Sequence, residues 1–583
     1  MGYFYQVTID IFCILSVSLF LNHTFKIKLH YCFLISLCSS AIIFYSAYLL
    51  IPLSLLKYFF YLYLIIIFFI PWKIILENKI SKNDKNLLLE FFIISFIISF
   101  FCWNKYYLDE DELHYWGKIV KYFHIVKNAN SADFPFIYLY HKPFLPLLHF
   151  FNSFFTFFRE DLSIFSNNTI IISAFYFVYY NEKINILKRL FVFIIFYICI
   201  NNLSFGFVSI YADPIIGIIY FSLIFYIYKS QQNLIRNVDF FIMLILGLFL
   251  FLSHRSGMVY FIFASLFWIL LNYRFVDRKK FFFAIVVLFL ACFYIFNNII
   301  TIDHALNNLR LSSFPAFVVE FLFIDIYFSD FGVSYNSILS FLGINNFKFP
   351  VFDIRILFWF VLIILLTVLN FNKNYKVIIF VILQFFLYLM IIYILKIQIE
   401  NLHIRGTSRY LGVFFLSILL FNIYFISLKK PTYVLFILFL AMVSITPKKT
   451  FGFLLPESLY LKDQSNLAYK KNRDKIAYVA KLFDKQKKII IIQSNETLNS
   501  YLHNSSLVQS AMQLGFYGTN LSAPKDVPQE HMIKTIEYNL YLKATSNYDN
   551  YNKVFYNLSE LEMHSIKKLP KFNRKKSFFI KFD

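Results

Sequence analysis

Glycine and proline are scarce in this 583-residue chain, at 13 and 14 residues, and only 15% of its residues are charged. Soluble domains carry about 25% charged and about 45–50% apolar residues. Here 59% are hydrophobic and the mean hydropathy is +0.63. That leaves too little polar surface to cover a water-soluble globule of this size. So little glycine and proline excludes collagen-like and linker-type chains, and a sequence this apolar does not stay disordered in water over most of its length. The few cysteines are Cys13, Cys32, Cys38, Cys102, Cys199 and Cys292, all within or at the ends of apolar runs. Neither a disulfide framework nor a CxxC zinc site is expected from them. The N-terminus has no basic segment and no small-residue cleavage site, so the first apolar run reads as a retained span. Acidic residues are in deficit as well, 33 against 55 basic ones, for a net charge of +22. Such a charge resembles a nucleic-acid signal. Most of it falls in short loops between apolar runs, so membrane topology explains it better and no nucleic-acid partner is expected.

What the chain has in plenty is phenylalanine (80) and tyrosine (43), gathered with aliphatic residues into long runs. A bilayer span takes about 20 mostly apolar residues. Runs near 5–22, 30–50, 54–72, 86–103, 163–180, 190–204, 207–228, 238–253, 257–273, 281–300, 351–371, 377–395, 410–428 and 432–446 meet that need, giving about 14 transmembrane helices. Lys26/Lys28, Lys73/Lys79/Lys82/Lys85, Lys183/Lys188/Arg189, Lys229/Arg236, Arg274/Arg278/Lys279/Lys280, Lys373/Lys376 and Lys429/Lys430 fall on alternate connections. The positive-inside rule makes that face cytoplasmic. Both termini, the acidic segment 104–142, the loop 301–350 and the stretch 396–409 then lie outside. The run 144–158 is short for a span and reads as an amphipathic helix at the outer interface. Beyond Pro447 the composition turns polar, and short apolar runs such as Lys488–Gln493 alternate with amphipathic stretches. The expected fold is an all-α polytopic membrane domain over 1–446, followed by a small extracytoplasmic α/β domain over 447–583.

Polar groups held near a bilayer face are costly and tend to be functional. The richest group is Asp109-Glu110-Asp111-Glu112, followed by His114, Tyr115 and Trp116. Four successive carboxylates repel one another unless a cation sits among them, which suits a general base, a divalent metal or an ammonium ligand. A solvated acidic loop beside an interfacial aromatic belt is the plainer alternative. Lys142, next to Pro143 and Pro146, sits at the water–lipid boundary, where it would suit a lipid-linked phosphate or simply snorkel. Asp213 lies at the outer end of one run, and His254 and Arg255 at the outer end of another. Arg405 and Arg409 precede or open a late run. Arg255, Arg405 and Arg409 break the positive-inside pattern. Arginine's fork binds phosphate oxygens in pairs, and any one of these could instead serve a structural ion pair.

Asp111-Glu112 with His114-Tyr115-Trp116-Gly117 and Lys118/Lys121 resembles the acidic external-loop motif of C-type (GT-C fold) glycosyltransferases, which include protein O-mannosyltransferases and the aminoarabinose transferases of lipid A. Tyr140–Pro146 is similar to the Lys-Pro-Pro-Leu segment of the aminoarabinose branch, although Phe144 replaces the second proline. Ser408-Arg409-Tyr410 resembles the Arg-Tyr motif that opens a late span. In this chain the acidic motif follows the fourth apolar run rather than the first. The resemblance implies a polyprenyl-phosphate-sugar donor and hexosyl or pentosyl transfer at the outer face. It places Asp111 as base, Glu112 orienting or sharing the proton, and Lys142 at the donor phosphate. Arg255 and Arg409 would complete the phosphate site, with Asp109, His114, Asp213, His254 and Arg405 in support. Asp111 and Glu112, with an oxygen from Asp213, would suit Mg²⁺ or Mn²⁺ in the members that use a metal. The acceptor would be an envelope glycan, lipid A or a protein, and the surroundings the lipids of a bacterial inner membrane. Two rivals are an O-antigen-type polymerase or ligase and, ranked last, a lipid-linked glycan transporter. A transporter usually shows repeat symmetry or mid-span charge.

Overall fold

The computed structural model describes residues 2–52, 55–76, 80–103, 105, 116–126, 143–156, 159–181, 184–203, 212–230, 237–272, 286, 362–368, 375–388, 390, 407–429, 432–445, 488–493, 551–556 and 577–580. The chain divides into two compact units, Met1–Tyr106 with Tyr122–Phe453, and Tyr107–Lys121 with Leu454–Asp583.

Among the described residues the first unit holds helices and the turns between them. The helices are α1 (Gly2–Phe25), α2 (Leu29–Leu50), α3 (Leu56–Leu76), α4 (Lys82–Cys102), α5 (Gly117–Val126, whose last five residues belong to this unit), α6 (Phe144–Phe151), α7 (Glu160–Tyr179), α8 (Ile186–Leu203), α9 (Ala212–Ser230), α10 (Asn237–Ser253) and α11 (Arg255–Asn272). After these come α12 (Tyr375–Tyr388), α13 (Thr407–Lys429) and α14 (Thr432–Ile445). In lipid every backbone polar group must be satisfied within the protein, so long apolar runs poor in glycine and proline become helices. Among the described residues, Gly2–Phe25, Leu29–Leu50, Lys82–Cys102 and Glu160–Tyr179 are long and apolar enough to cross a membrane, and shorter apolar helices include Pro214–Ser230, Asn237–Ser253 and Ser256–Leu271. The chain is thus read as a multi-pass membrane protein. The apolar run 281–300 and most of 351–371 lie outside the described residues.

Local signals set the helix ends. Ser81 caps α4 by accepting the Asp84 backbone N–H at 3.1 Å, and its hydroxyl donates to the Asp84 carboxylate at 2.7 Å. The α1–α2 turn places Lys26 at φ 56°, in the left-handed region that often ends a helix. Asn22 Nδ2 closes that turn on the Ile27 carbonyl at 2.7 Å.

Two sets of contacts show that helix direction alternates. At one end Arg189 of α8 pairs with Glu90 of α4 at 2.8 Å. Tyr226 of α9 donates to Asp239 of α10 at 2.7 Å, and Lys229 of α9 stands 5.3 Å from the Tyr424 ring of α13. At the opposite end Tyr3 Oη of α1 donates to the Ser99 carbonyl of α4 at 2.8 Å. Lys188, Arg189 and Lys229, from loops assigned to one face by charge, thus share the first end. α7 runs between the two ends at the centre of the unit, with all twenty of its residues buried. Around it Phe33, Phe91 and Tyr176 form a ring cluster, the first two stacked at 4.2 Å.

The interfacial amphipathic helix expected over 144–158 needs correction. α6 is buried at every position and packs on α2 and α7. An interfacial helix must show one face to water, and Phe-Leu-Pro-Leu-Leu-His-Phe-Phe has no polar face to show. Its single polar side chain, His149, is paired inside the unit instead.

In the second unit three short strands, β1 (Lys488–Gln493), β2 (Tyr551–Tyr556) and β3 (Ser577–Ile580), pair in parallel in the order β1-β2-β3. Ile490 faces Lys553, and Val554 faces Phe578. Parallel neighbours need crossovers of a dozen or more residues. The connecting residues 494–550 and 557–576 are long enough for that and lie outside the described residues.

Candidate functional site

Asp109, Asp111, Glu112, His114, Lys142 and Arg405 lie outside the described residues. Asp213, Arg255 and Arg409 are placed by their backbones, in the first turns of α9, α11 and α13. α9 packs on both α11 and α13. Tyr220 of α9 lies 5.0 Å from Tyr260 of α11, and Phe414 of α13 lies 5.2 Å from Tyr260 and 6.3 Å from Tyr220. These rings stand five to seven positions beyond Asp213, Arg255 and Arg409. At 1.5 Å of rise per residue the contact lies roughly 7–11 Å below the three positions. The three first turns therefore begin at nearly one level, at the end opposite Glu90 and Arg189. Gly217 of α9 faces α13, where a Cβ would make ordinary contact, 3.5 Å from Leu416 and 3.6 Å from Val413. α12 braces the group: Tyr220 donates to Gln384, whose Nε2 donates to the Phe263 carbonyl at 3.1 Å. Three helix starts together present a partly positive end, and two of them bring an arginine.

His254 connects α10 to α11. Its Nδ1 accepts the Ser256 backbone N–H at 3.3 Å and stands 2.9 Å from the Ser256 hydroxyl, as a capping side chain does. Both bonds serve the start of α11, which also holds Arg255. The hairpin is tight. A Cβ on Gly257 would lie 2.1 Å from the Leu250 carbonyl oxygen.

A second polar group was not anticipated from the sequence. His149 Nδ1 lies 2.9 Å from Ser166 Oγ of α7, and Asn152 Nδ2 donates to the same oxygen at 2.8 Å. His124 Nε2 of α5 lies 2.7 Å from Ser153 Oγ. The Phe155 backbone N–H donates to Gln6 Oε1 of α1 at 3.0 Å, and Gln6 Nε2 donates to Asp10 at 2.8 Å. His124, His149, Asn152, Ser153 and Ser166 are all buried. Burial pulls the His149 imidazole down to about 3, so the ring is neutral near pH 7. Beside this group Arg159 grips Asp161 through two bonds, 3.0 and 2.7 Å, and lies 5.2 Å from the Tyr3 ring. Two signals were present in the sequence. Asp10 is an ionisable residue inside the first apolar run, and Ser163, Ser166 and Asn167 share one helical face of α7.

Among the described residues no group of three or more His, Cys, Asp or Glu side chains could hold a metal ion. The arrangement offers an arginine-bearing rim at three helix starts and, elsewhere at that end, a neutral hydrogen-bonded hub around α6. No protein-family model, curated protein or solved structure matches this chain.

Proposed function

We propose that this protein is a membrane glycosyltransferase that moves a sugar from a polyprenyl-phosphate donor to an envelope glycan, lipid or protein at the outer face of a bacterial inner membrane. The observation that carries the proposal is the common level of the first turns of α9, α11 and α13, which hold Asp213, Arg255 and Arg409. Two arginines at helix starts, on the face where basic residues are disfavoured, suit a phosphate head group.

In the transfer the bond from the anomeric carbon to the phosphate oxygen breaks, and its electron pair leaves with the polyprenyl phosphate. Arg255, Arg409 and Lys142 stabilise that developing charge. The acceptor oxygen forms the new bond to the anomeric carbon. Its proton passes to Asp111, with Glu112 orienting the acceptor or sharing the proton. The Asp111–Glu112 pair has the hard oxygen donors that Mg²⁺ or Mn²⁺ takes, and an ion held there would supply Lewis-acid stabilisation of negative charge. The charge on alternate loops assigns residues 447–583 to the extracytoplasmic side.

Mass spectrometry of envelope glycans, lipid A and surface proteins, with and without the gene, tests the proposal. Loss of one sugar from one class of acceptor, restored by the wild-type gene and not by Asp111→Asn, is the expected result. Identical envelopes in both strains would overturn it.

A further inference from the structure

Lys142 lies two positions before the first residue of α6. Even fully extended, that link reaches only about 7 Å. Whatever fixes α6 therefore limits where Lys142 can act. Close packing holds a buried helix in place, and directional bonds add to it at particular positions. α6 with its turn has them on three sides.

Ser153 Oγ donates to the His149 carbonyl at 2.9 Å, with the Phe150 carbonyl at 3.2 Å. With its one hydrogen on these carbonyls it accepts from His124 in the tautomer protonated at Nε2. That bond ties α5 to the turn after α6. Ser166 Oγ is shared by His149 and Asn152, which ties the helix and its turn to α7. Gln6 takes the Phe155 N–H and ties the far end of the turn to α1. Every bonded side chain in these ties is buried, and the Phe150 ring lies 4.9 Å from His124. A buried network of this kind is costly to break at any member, because each loss strands a polar partner.

We propose that His124 and His149 are positioning residues which, through Ser153 and Ser166, fix the end of α5 and α6 against α7, and so set the position of the first residue of α6, to which Lys142 is joined. The proposal rests on the assignment of Lys142 to the donor phosphate. Neither imidazole needs to change charge. Each acts through one nitrogen, and an amide can replace each: glutamine reaches the place of His124 Nε2, and asparagine that of His149 Nδ1.

The test uses the full chain in lipid nanodiscs, with hydrogen exchange and binding of sugar-free polyprenyl phosphate measured on the same samples. His124→Ala and His149→Ala should speed amide exchange in α6, leave α9 unchanged and weaken binding about ten-fold, the worth of one buried hydrogen bond. His124→Gln and His149→Asn should stay within a few-fold of wild type in both measurements. Should the alanine variants fail to fold, the amide variants decide: wild-type exchange and binding support the positioning role. Wild-type behaviour in the alanine variants, or amide variants no better than alanine in exchange, would overturn it. If wild type binds no polyprenyl phosphate while α6 exchange still responds and is rescued, the anchoring of α6 stands and the donor assignment falls.

Discussion

Tyr220 of α9 and Tyr260 of α11 lie 5.0 Å apart, and Phe414 of α13 completes the cluster, so the helices that begin near Asp213, Arg255 and Arg409 share an aromatic contact near their starts. Gly217 lies one turn above Tyr220 and faces Val413 and Leu416 of α13. A methyl group at that site would make only ordinary contact. Gly217→Ala should therefore be tolerated, whereas Gly217→Leu should force α9 and α13 apart and cost roughly 1–3 kcal/mol. Thermal unfolding in detergent distinguishes the two. Equal stability would mean that α9 and α13 are not closely packed there.

At the opposite end, Glu90 and Arg189 are paired at 2.8 Å with side chains only 13% and 11% exposed. Tyr176 also donates to Glu90, and Arg189 lies 4.9 Å from the Tyr180 ring. Glu90→Ala leaves the arginine buried without its carboxylate and should cost roughly 3–5 kcal/mol. Replacing both residues with leucine should cost much less, because no charge is then stranded. A double-mutant cycle in thermal unfolding measures the coupling, and additive losses would show that the pair is not coupled.

Gly257 and Gly247 both lack room for a side chain, but the obstacles differ. At Gly257 the nearest atom is the Leu250 backbone oxygen, 2.1 Å from a built Cβ, whereas at Gly247 it is the Phe261 ring at 2.7 Å. A ring can turn aside and a helix backbone cannot. Gly257→Ala should open the α10–α11 hairpin and lower the melting temperature more than Gly247→Ala, with a cost of about 2–3 kcal/mol at Gly257. The reverse order would contradict the hairpin geometry.

The burial of His149 makes stability depend on pH. Its folded value, about 3, lies below the ordinary imidazole value of about 6.5, so below pH 6.5 the unfolded chain takes up a proton that the folded chain refuses. Stability from this group is therefore complete above pH 6.5 and falls as the pH drops toward 3. Between pH 6.5 and 5 the loss is about 2 kcal/mol, at about 1.4 kcal/mol per pH unit. His149→Asn should flatten that part of the profile in urea unfolding, and an unchanged slope would mean that the ring is not buried as a neutral group.

Hydropathy located the helices well because lipid and helical backbone impose the same constraint. The runs at 5–22, 30–50, 163–180 and 238–253 fall inside α1, on α2, on α7 and in α10 to within a few residues. Charge on alternate loops anticipated which helix ends meet, as Arg189 with Glu90 and Lys229 with Tyr424 show. α6 was misplaced because a short apolar run has the same composition whether it lies on a bundle or inside one. Only its partners tell, and Ser166 and Gln6 come from distant parts of the chain. The first turns holding Asp213, Arg255 and Arg409 share one end of the unit, as alternation implied, but the aromatic contact that levels them depends on three-dimensional packing. The acidic motif and Lys142 rest on sequence alone.

The central claim is a phosphate site at the starts of α9, α11 and α13, and binding of sugar-free polyprenyl phosphate in nanodiscs tests it most directly. Arg255→Ala and Arg409→Ala should each weaken binding about ten-fold or more, since a hydrogen bond to a charged group is worth roughly 1.5–3 kcal/mol. Lysine at either position should restore part of the loss, because a point charge replaces a fork. Lys142→Ala should behave like the arginine variants, and Lys57→Ala, on the largely exposed helix α3, should bind as wild type does. If Arg255→Ala, Arg409→Ala and Lys142→Ala all bind polyprenyl phosphate as tightly as wild type, there is no phosphate site at these helix starts.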